Sequence, residues 1–335
     1  MNQNFYVFIV HKWRHPYLKY VIDEAIRYWN KIILLTDNKD LTKEYLKIYN
    51  NWKYITIENI SDYFLYAKNF EKIYTHMSVN SFDFEKFCID RWLIILEYIE
   101  KHNINTFWHI DSDVLLFCDL SKQFEKYWKC DFWYVWSCWH IFLWTKKWLN
   151  EFKHFIFDTY IKNIQLLKDY SQHKREIQYY DHNNVKLDWH NNWCVSDMTL
   201  FYLFKKSNNK NLIFQDIWRI KEGEVFDHNI NSSEWFKYKL IKSITLSNNS
   251  YFGDLYWKKV KFKCLHFIWD AKYFIKYFHF RNIWFRLYIS IWIHKVVIPR
   301  FLKILRYLGL YKFIAKIYWL YRKKKYWIIW NLNTK

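Results

Sequence analysis

Short apolar runs alternate with stretches of helical periodicity along the first third of the chain. Residues 5–10 and 32–36 are rich in β-branched and aromatic side chains and predict strands, and residues 54–58 could form a third strand. Between the first two runs, apolar residues of the segment 17–28 recur at helical spacing. This order predicts an α/β fold with a mostly parallel, Rossmann-like central sheet, helices on both of its faces, and ligands at the carboxyl ends of the strands.

The clearest helix in the pattern covers residues 82–101, and an apolar run at residues 106–110 predicts the strand that follows it. The apolar side chains of the helix fall on one stripe, namely Phe84, Phe87, Cys88, Trp92, Ile95, Leu96 and Ile99. The strand leads directly into Asp111-Ser112-Asp113. We therefore expect two carboxylates at the carboxyl end of a central strand, where such a sheet opens its ligand crevice.

Asp111 and Asp113 are the first candidates for chemistry. Carboxylate oxygens are hard ligands that suit Mg²⁺ or Mn²⁺, and such an ion neutralises a bound diphosphate. An Asp-x-Asp tripeptide by itself is common at turns, so the interpretation depends on its position directly after an apolar strand. We predict that these side chains hold the metal or the ribose of a nucleotide.

The positive charge of the chain is concentrated in its last part. The 335 residues have a net charge of +20, and residues 273–335 contribute +14 of it with no Asp or Glu. No stretch there approaches the ~18 to 20 uncharged apolar residues of a spanning helix. Basic and aromatic residues at helical spacing predict a tail of amphipathic helices that lies on an anionic membrane surface. Nucleic-acid phosphates are the less favoured partner.

The beginning of the chain and its cysteines indicate the compartment. The apolar run at residues 5–10 has no basic segment before it and no cleavage site after it, so we interpret it as a strand and not as a signal peptide. The six cysteines contain no Cys-x-x-Cys pair and are expected to be reduced. Together with the basic tail, these features predict a cytoplasmic protein that is peripheral on the inner face of the cell membrane.

The chain contains three Gly and 22 Trp, whereas average usage would give about 23 Gly in this length. Trp29 follows an amphipathic segment at the position where helices usually end in a left-handed residue. Trp136 and Trp139 lie in a crowded cluster, and Trp269 lies in a turn-like stretch. We hypothesise that the source organism reads UGA codons as Gly where standard translation gives Trp. The alternative is a genuinely Trp-rich protein.

Three segments resemble elements of the nucleotide-diphospho-sugar transferases with the GT-A fold, particularly the metal-dependent glycosyltransferases related to glycogenin and the bacterial lipopolysaccharide galactosyltransferases. WHIDSDVL at 108–115 resembles their strand and Asp-x-Asp element. CVSDMTL at 194–200 resembles a segment in which an acidic residue faces the donor sugar or the acceptor. LHFIWDAK at 265–272 resembles their His-Phe-x-Gly-x-x-Lys element, with Trp269 in the Gly position. The resemblance covers roughly residues 5 to 272.

The resemblance implies a GT-A domain at residues 1–272, and the basic, aromatic residues 273–335 after it form the predicted membrane-associating tail. The resemblance also implies His266 as the third metal ligand beside the early carboxylates, and Lys272 as the diphosphate contact, with Ser112 also in the donor site. The implied activity is transfer of a sugar from a nucleotide-sugar donor, such as a UDP-sugar, to a glycan or lipid-linked acceptor. The predicted membrane attachment of the tail adds the expectation of a lipid-linked acceptor and of a role in cell-surface polysaccharide synthesis. The implied cofactor is Mn²⁺ or Mg²⁺.

Four further residues are weaker candidates. Asp197 could act as a catalytic base or orient the sugar, and the alternative is a helix N-cap. Arg91, on the polar side of the 82–101 helix, could reach the nucleotide, although a solvated Arg is favoured. Asp37 follows the second predicted strand and could contact the base or ribose. His140 could line the acceptor side, although a packed core His is favoured.

Two other functions share part of this pattern. A sugar nucleotidyltransferase would use the same sheet and metal chemistry, but its usual glycine-rich loop after the first strand has no counterpart at residues 11–16. A nucleic-acid-binding protein would use the basic charge, but it would leave Asp111 and Asp113 unexplained.

Overall fold

The computed structural model describes residues 5–12, 15–40, 42, 52–78, 80–127, 132–135, 138–172, 179–180, 186–187, 195–208, 214–216, 223–239, 241–256, 258–281, 297 and 300. The chain divides into two compact units, Met1–His279 and Phe280–Lys335. The first unit contains the elements below. The predicted tail helices beyond residue 281 lie outside the described residues, apart from the two single positions.

Strands and helices alternate along much of the first unit. The strands are β1 (Tyr6–His11), β2 (Lys31–Thr36), β3 (Ile55–Asn59), β4 (Thr106–Ile110), β5 (Val114–Leu116), β6 (Phe132–Val135), β7 (Cys138–Thr145), β8 (Tyr179–Tyr180), β9 (Lys186–Leu187), β10 (Phe214–Asp216), β11 (Glu224–Phe226), β12 (Ile244–Ser247), β13 (Ser250–Leu255) and β14 (Lys258–His266). The helices are α1 (Leu18–Arg27), α2 (Leu65–Glu71), α3 (Phe82–Lys101), α4 (Leu120–Tyr127), α5 (Lys146–Lys162), α6 (Ile164–Gln172), α7 (Asp197–Asn208) and α8 (Ile275–Phe280), with 3₁₀ helices at Trp52–Tyr54, Ile60–Tyr63 and Trp269–Phe274.

Seven strands among the described residues form the main sheet, in the order β10-β6-β7-β4-β1-β2-β3. β4, β1, β2 and β3 are parallel neighbours, and β10 is parallel to β6. β7 is antiparallel to both of its neighbours, β4 and β6. This topology confirms the predicted α/β fold with a mostly parallel central sheet.

Alternate strand residues point to opposite faces of the sheet. Both faces carry apolar side chains, and helices bury each face. Phe8 and Val10 of β1 belong to a large apolar cluster that α3, α5 and α7 complete. Val7 and Ile9 are buried on the other face. α1 contributes no residue to that cluster and instead contacts β2 and β5. Within the described residues, no helix has both the length and the apolar character to cross a membrane.

The helix predicted at residues 82–101 is α3, and its buried surface is broader than the predicted stripe. Ile89, Leu93 and Ile94 are also buried, which agrees with the contacts of α3 to three other helices, α2, α5 and α7. The stripe is wrong at Phe84, whose side chain is 47% exposed. Phe84 lies in the first turn of α3, and only later turns of the helix enter the core.

A second sheet places the end of β14 beside the Asp111-Ser112-Asp113 segment. It has the order β11-β14-β13-β12, and β5 adds to it by pairing antiparallel with β14. In this register Leu265 is opposite Leu115, and His266 is opposite Val114. The end of β14 therefore lies beside the residue that follows Asp113.

Candidate active site

The Asp111-Ser112-Asp113 segment connects β4 to β5, and hydrogen bonds from neighbouring strands fix its backbone. The N–H of Asp111 donates to the carbonyl of His140 on β7 (2.8 Å). The N–H of Phe267 donates to the carbonyl of Asp113 (3.1 Å). The two carboxylates are thus held at the carboxyl end of β4, as the sequence predicts.

His266 is the last residue of β14, and one ring nitrogen is already engaged. Its Nδ1–H donates to the carbonyl of His228 (2.7 Å), so Nε2 is the nitrogen that faces the carboxylates, 3.4 Å from Oδ1 of Asp113. Ligand atoms of Asp111, Asp113 and His266 all lie within 4.8 Å of one another. The structure therefore brings together the three predicted ligands, and this group can hold a metal ion.

The chemistry of these donors fits a hard divalent cation. Two carboxylates and one imidazole suit Mg²⁺ or Mn²⁺, and an imidazole whose Nδ1–H is bonded to a carbonyl presents the lone pair of Nε2. Among the described residues, Arg91 and Lys272 are the two Lys or Arg side chains that pair with the three carboxylates of Asp111, Asp113 and Asp197. The three carboxylates outnumber these two basic side chains, and the remaining negative charge favours a bound cation.

Lys272 follows β14 in the 3₁₀ helix Trp269–Phe274 and reaches back to the site. Its Nζ lies 2.9 Å from Oδ2 of Asp113, and its side chain remains 36% exposed. Burial by itself would raise the pKa of Asp113, but His266 and Lys272 hold it well below its usual range. Burial would lower the pKa of Lys272, and the Asp113 carboxylate raises it instead. Both groups are therefore charged at neutral pH.

Arg91 on α3 joins Asp111 to Asp197. Its Nη1 lies 2.5 Å from Oδ1 of Asp111, and its Nη2 lies 2.6 Å from Oδ2 of Asp197. The Arg91 side chain is only 14% exposed, so the favoured interpretation of a solvated Arg is wrong. Burial raises the pKa of Asp111, and Arg91 opposes this effect. The predicted contact of Arg91 with a nucleotide stays a prediction.

Asp197 is the first residue of α7, and three donors fix its carboxylate. Besides Arg91, the indole Nε1 of Trp92 donates to Oδ2 (3.1 Å), and the N–H of Met198 donates to Oδ1 (2.8 Å). Asp197 thus lies at the beginning of α7, where the helix-capping interpretation places it, and its role toward a sugar stays a prediction. Asp197 connects with Asp111 through one shared guanidinium.

The loop after β1 supplies two site residues that the sequence analysis missed. Tyr17 lies beside Ser112 and Lys272, whose Nζ is 5.7 Å from the centre of its ring, and burial raises the pKa of Tyr17. The ring of His15 stacks on that of Tyr17 with centroids 5.2 Å apart. Their position after a parallel strand could have indicated them, because such loops converge at one edge of the sheet.

Asp37 and His140 occupy different surroundings. Asp37 is exposed at the end of β2, accepts a hydrogen bond from Thr36 (3.3 Å), and is outside the carboxylate group around Arg91. His140 is fully buried, and its ring stacks on that of His266 with centroids 4.0 Å apart. His140 is thus a packed core residue behind the site, as favoured from the sequence.

Comparison with known proteins gives structural similarities only. No protein-family model matches the chain, and no curated protein matches it in sequence. Similar solved structures include mouse xyloside xylosyltransferase 1 in its apo form, with 8% identity and a TM-score of 0.43. The match covers 67% of this chain and 87% of that chain. The glycosyltransferase GlyE of Streptococcus pneumoniae TIGR4 has 13% identity and a TM-score of 0.34, with 66% of this chain and 46% of that chain covered.

The galactosyltransferase LgtC in complex with donor and acceptor sugar analogues has 10% identity and a TM-score of 0.33, with 49% of this chain and 65% of that chain covered. The chain therefore spans less than two thirds of the length of GlyE and LgtC in these matches. All three similarities have TM-scores below 0.5, so they carry no conclusion about fold family, substrate or activity.

Proposed function

We propose that the chain is a metal-dependent glycosyltransferase that moves a sugar from a nucleotide-diphosphate sugar to a glycan or lipid-linked acceptor. One observation carries this proposal. Asp111, Asp113 and His266 lie within 4.8 Å of one another at the carboxyl edge of the sheet, with Lys272 on Asp113. This group combines cation ligands with a cationic side chain, which is what a departing diphosphate requires.

Each charged side chain has a role in this proposal. A bound Mn²⁺ or Mg²⁺ ion would act as a Lewis acid toward the diphosphate oxygens. Lys272 has a flexible, partly exposed ammonium and would pair with the charge that grows on the leaving phosphate. Asp197 is fixed by Arg91 and Trp92, and a fixed carboxylate suits the orientation of a sugar hydroxyl.

The nucleoside belongs, in this proposal, at the edge that Tyr17, His15 and Ser112 share. The stacked rings of Tyr17 and His15 offer a flat apolar surface beside Lys272. Asp37 lies at the end of the neighbouring parallel strand, and its exposed carboxylate suits a ribose hydroxyl or a base N–H. A UDP-sugar is the donor that we propose.

The basic tail supports a proposal about the acceptor and the location. Residues 273–335 carry a net charge of +14 with interleaved aromatic side chains. Such a segment suits an anionic lipid surface, where each basic residue contributes on the order of 1 kcal/mol. We propose peripheral attachment to the inner face of the cytoplasmic membrane and a role in cell-surface polysaccharide synthesis.

Product analysis with a panel of nucleotide sugars and Mn²⁺ tests the activity. We expect the protein to release a nucleoside diphosphate and to transfer or hydrolyse the sugar, and we expect Asp113→Asn to lower this rate by at least about 100-fold. Release of pyrophosphate from a sugar phosphate and a nucleoside triphosphate would instead identify a nucleotidyltransferase. Absence of any metal-dependent turnover across the panel would contradict the proposal.

A further inference from the structure

Residues 227–230 form a loop that hydrogen-bonds with the backbone and the ring of His266. The side chain of Asp227 accepts the backbone N–H of His266 (3.1 Å), and the carbonyl of His228 accepts its ring Nδ1–H (2.7 Å). The N–H of Ile230 donates to the carbonyl of His266 (3.0 Å). We refer to residues 227–230 as the positioning loop. Because it engages both the backbone and the ring, this loop fixes the direction in which Nε2 points.

A buried group of charges fixes the positioning loop in turn. Nζ of Lys242 lies 2.5 Å from Oδ1 of Asp227 and also pairs with Glu234, and the side chains of Lys242 and Asp227 are 0% exposed. Glu234 pairs on its other oxygen with Nδ1 of His228. The backbone N–H of Lys242 donates to the carbonyl of Ile230 (3.0 Å). Lys242 therefore holds both ends of the loop.

Two further observations connect the positioning loop and its ion pairs to the orientation of the His266 ring. Glu234 has a positive φ of 43°, a conformation that a non-glycine residue adopts at a cost and that surrounding contacts must maintain. The ring of His140 lies against that of His266 at 4.0 Å, and its Nε2–H donates to the carbonyl of Asp227 (2.8 Å). Ring orientation, loop and charges form one connected network.

We infer that Asp227 and Lys242 are positioning residues for a metal site, and that their buried ion pair presets Nε2 of His266 toward Asp111 and Asp113. Neither residue touches the ligand atoms themselves. This inference rests on the proposed function in that it takes the three ligands to bind a cation. Outer partners of a metal-binding His commonly change metal affinity by about 10- to 100-fold when they are replaced.

The test compares charge-balanced variants in the full-length protein. Removing one partner alone would leave a buried charge without compensation, so the main variant is the double replacement Asp227→Asn with Lys242→Met. The matched control is Glu224→Gln with Lys263→Met, which removes another ion pair (2.7 Å) that also involves β14. Asp227→Asn alone, which keeps the side-chain volume, is the second variant in case the double variant does not fold.

The readouts are Mn²⁺ affinity by calorimetry and the histidine nitrogen coupling of bound Mn²⁺ by pulsed electron paramagnetic resonance. We expect the double variant to bind Mn²⁺ at least about tenfold more weakly with an altered nitrogen coupling, Asp227→Asn to shift the same way by less, and the control to match the wild type. Wild-type affinity and coupling in both Asp227 variants would overturn the inference. Absence of Mn²⁺ binding by the wild type would overturn the proposed metal site, and this inference with it.

A separate observation concerns two tryptophans in left-handed backbone conformations. Trp29 has φ of 67° and Trp235 has φ of 73°, the latter equal to that of Gly223. The N–H of Trp29 donates to the carbonyl of Ile26 and the N–H of Asn30 to that of Ala25, which is the Schellman pattern that normally has Gly at this position. The Trp29 side chain is 67% exposed, so little burial offsets the backbone strain.

We infer that positions 29 and 235 are glycine in the natural protein, encoded by UGA codons that standard translation reads as Trp. The low count of three Gly against 22 Trp has the same explanation. Each of Trp29→Gly and Trp235→Gly should raise the Tm, whereas Trp92→Gly, at a fully buried helical position, should lower it. UGG codons at both positions, or intact Trp there by mass spectrometry of protein from the source organism, would overturn the inference.

Discussion

Arg91 fixes two of the acidic side chains of the site, Asp111 and Asp197. It bridges Asp111 and Asp197, which lie 86 positions apart in the chain, from a mostly buried helix position. A planar guanidinium can donate to two carboxylates in fixed directions, whereas an ammonium acts as a point charge. The geometry of both acids should therefore depend on the shape of the Arg91 side chain as well as on its charge.

Arg91→Lys tests this dependence. We expect kcat/KM to fall by about 10- to 100-fold, which corresponds to roughly 1.4 to 2.7 kcal/mol, because one ammonium cannot hold both carboxylates in register. Arg27→Lys is the matched control, since Arg27 is more exposed and pairs with acids of its own helix. Full activity of Arg91→Lys in steady-state kinetics would contradict the assigned geometry.

Lys272 should affect turnover and metal affinity differently. It occupies one oxygen of Asp113, so Lys272→Met should leave the Mn²⁺ affinity of the donor-free protein unchanged or higher. The same change should lower kcat by about 100-fold, on the order of 2.7 kcal/mol, because the charge on the leaving phosphate loses a partner. Mn²⁺ titration and kinetics of the same preparation measure both. Weaker Mn²⁺ binding would show that Lys272 supports the metal ligands instead of competing with them.

At the level of elements, the early strands and the long helix could be predicted from the sequence because their patterns are local. β4 and α3 have the bounds that apolar periodicity indicates. The pairing of β5 with β14 could not be predicted this way, because it joins residues about 150 positions apart. His266 was predicted as a metal ligand only because residues 265–272 resemble a family segment. A single His in a sequence has no pattern around it that distinguishes a ligand from a core residue.

The contact between α8 and α1 should stabilise the fold more at low pH than at high pH. His279 on α8 lies 3.0 Å from Asp23 and 3.1 Å from Glu24 on α1. Burial lowers its pKa, but hydrogen bonds to these two acids outweigh this and raise it overall. A raised pKa stabilises the fold fully below the unfolded pKa of about 6.5, and this stabilisation is lost as pH rises through the folded pKa.

The free energy of unfolding at pH 6 and at pH 8.5 checks this prediction. We expect the wild type to lose stability between these values relative to His279→Gln, in which the titrating group is absent. The difference between the two proteins isolates His279 from other titrating groups. An identical pH dependence of both proteins would mean that the ion pairs with Asp23 and Glu24 do not stabilise the fold.

On the scale of the whole molecule, the sequence indicated the α/β class and the electrostatic character of the tail. The alternation of strands and helices and the segregation of charge are averages over many residues and tolerate single errors such as Phe84. The positioning loop and its ion pairs could not be predicted, because Asp227, Glu234 and Lys242 resemble surface charges of an irregular segment until the fold buries them together.

Removal of residues 282–335 tests the membrane proposal without disturbing α8, which packs within the first unit through His279. This truncation retains Lys276 and Arg281 and removes the other 12 basic residues of the tail. We expect full-length protein to sediment with anionic vesicles, less so at high salt, and the truncated protein to stay in solution. Neutral vesicles are the control. Equal sedimentation of both proteins with anionic vesicles would contradict the proposal.

The central claim is that Asp111, Asp113 and His266 form a cation site that receives a nucleotide-diphosphate sugar. Thermal shift of the full-length protein with nucleotide sugars, with and without Mn²⁺, tests it most directly. We predict that at least one nucleotide sugar raises the Tm only when Mn²⁺ is present, and that His266→Phe abolishes this shift. A shift of equal size without Mn²⁺, or one that persists in His266→Phe, would contradict the claim.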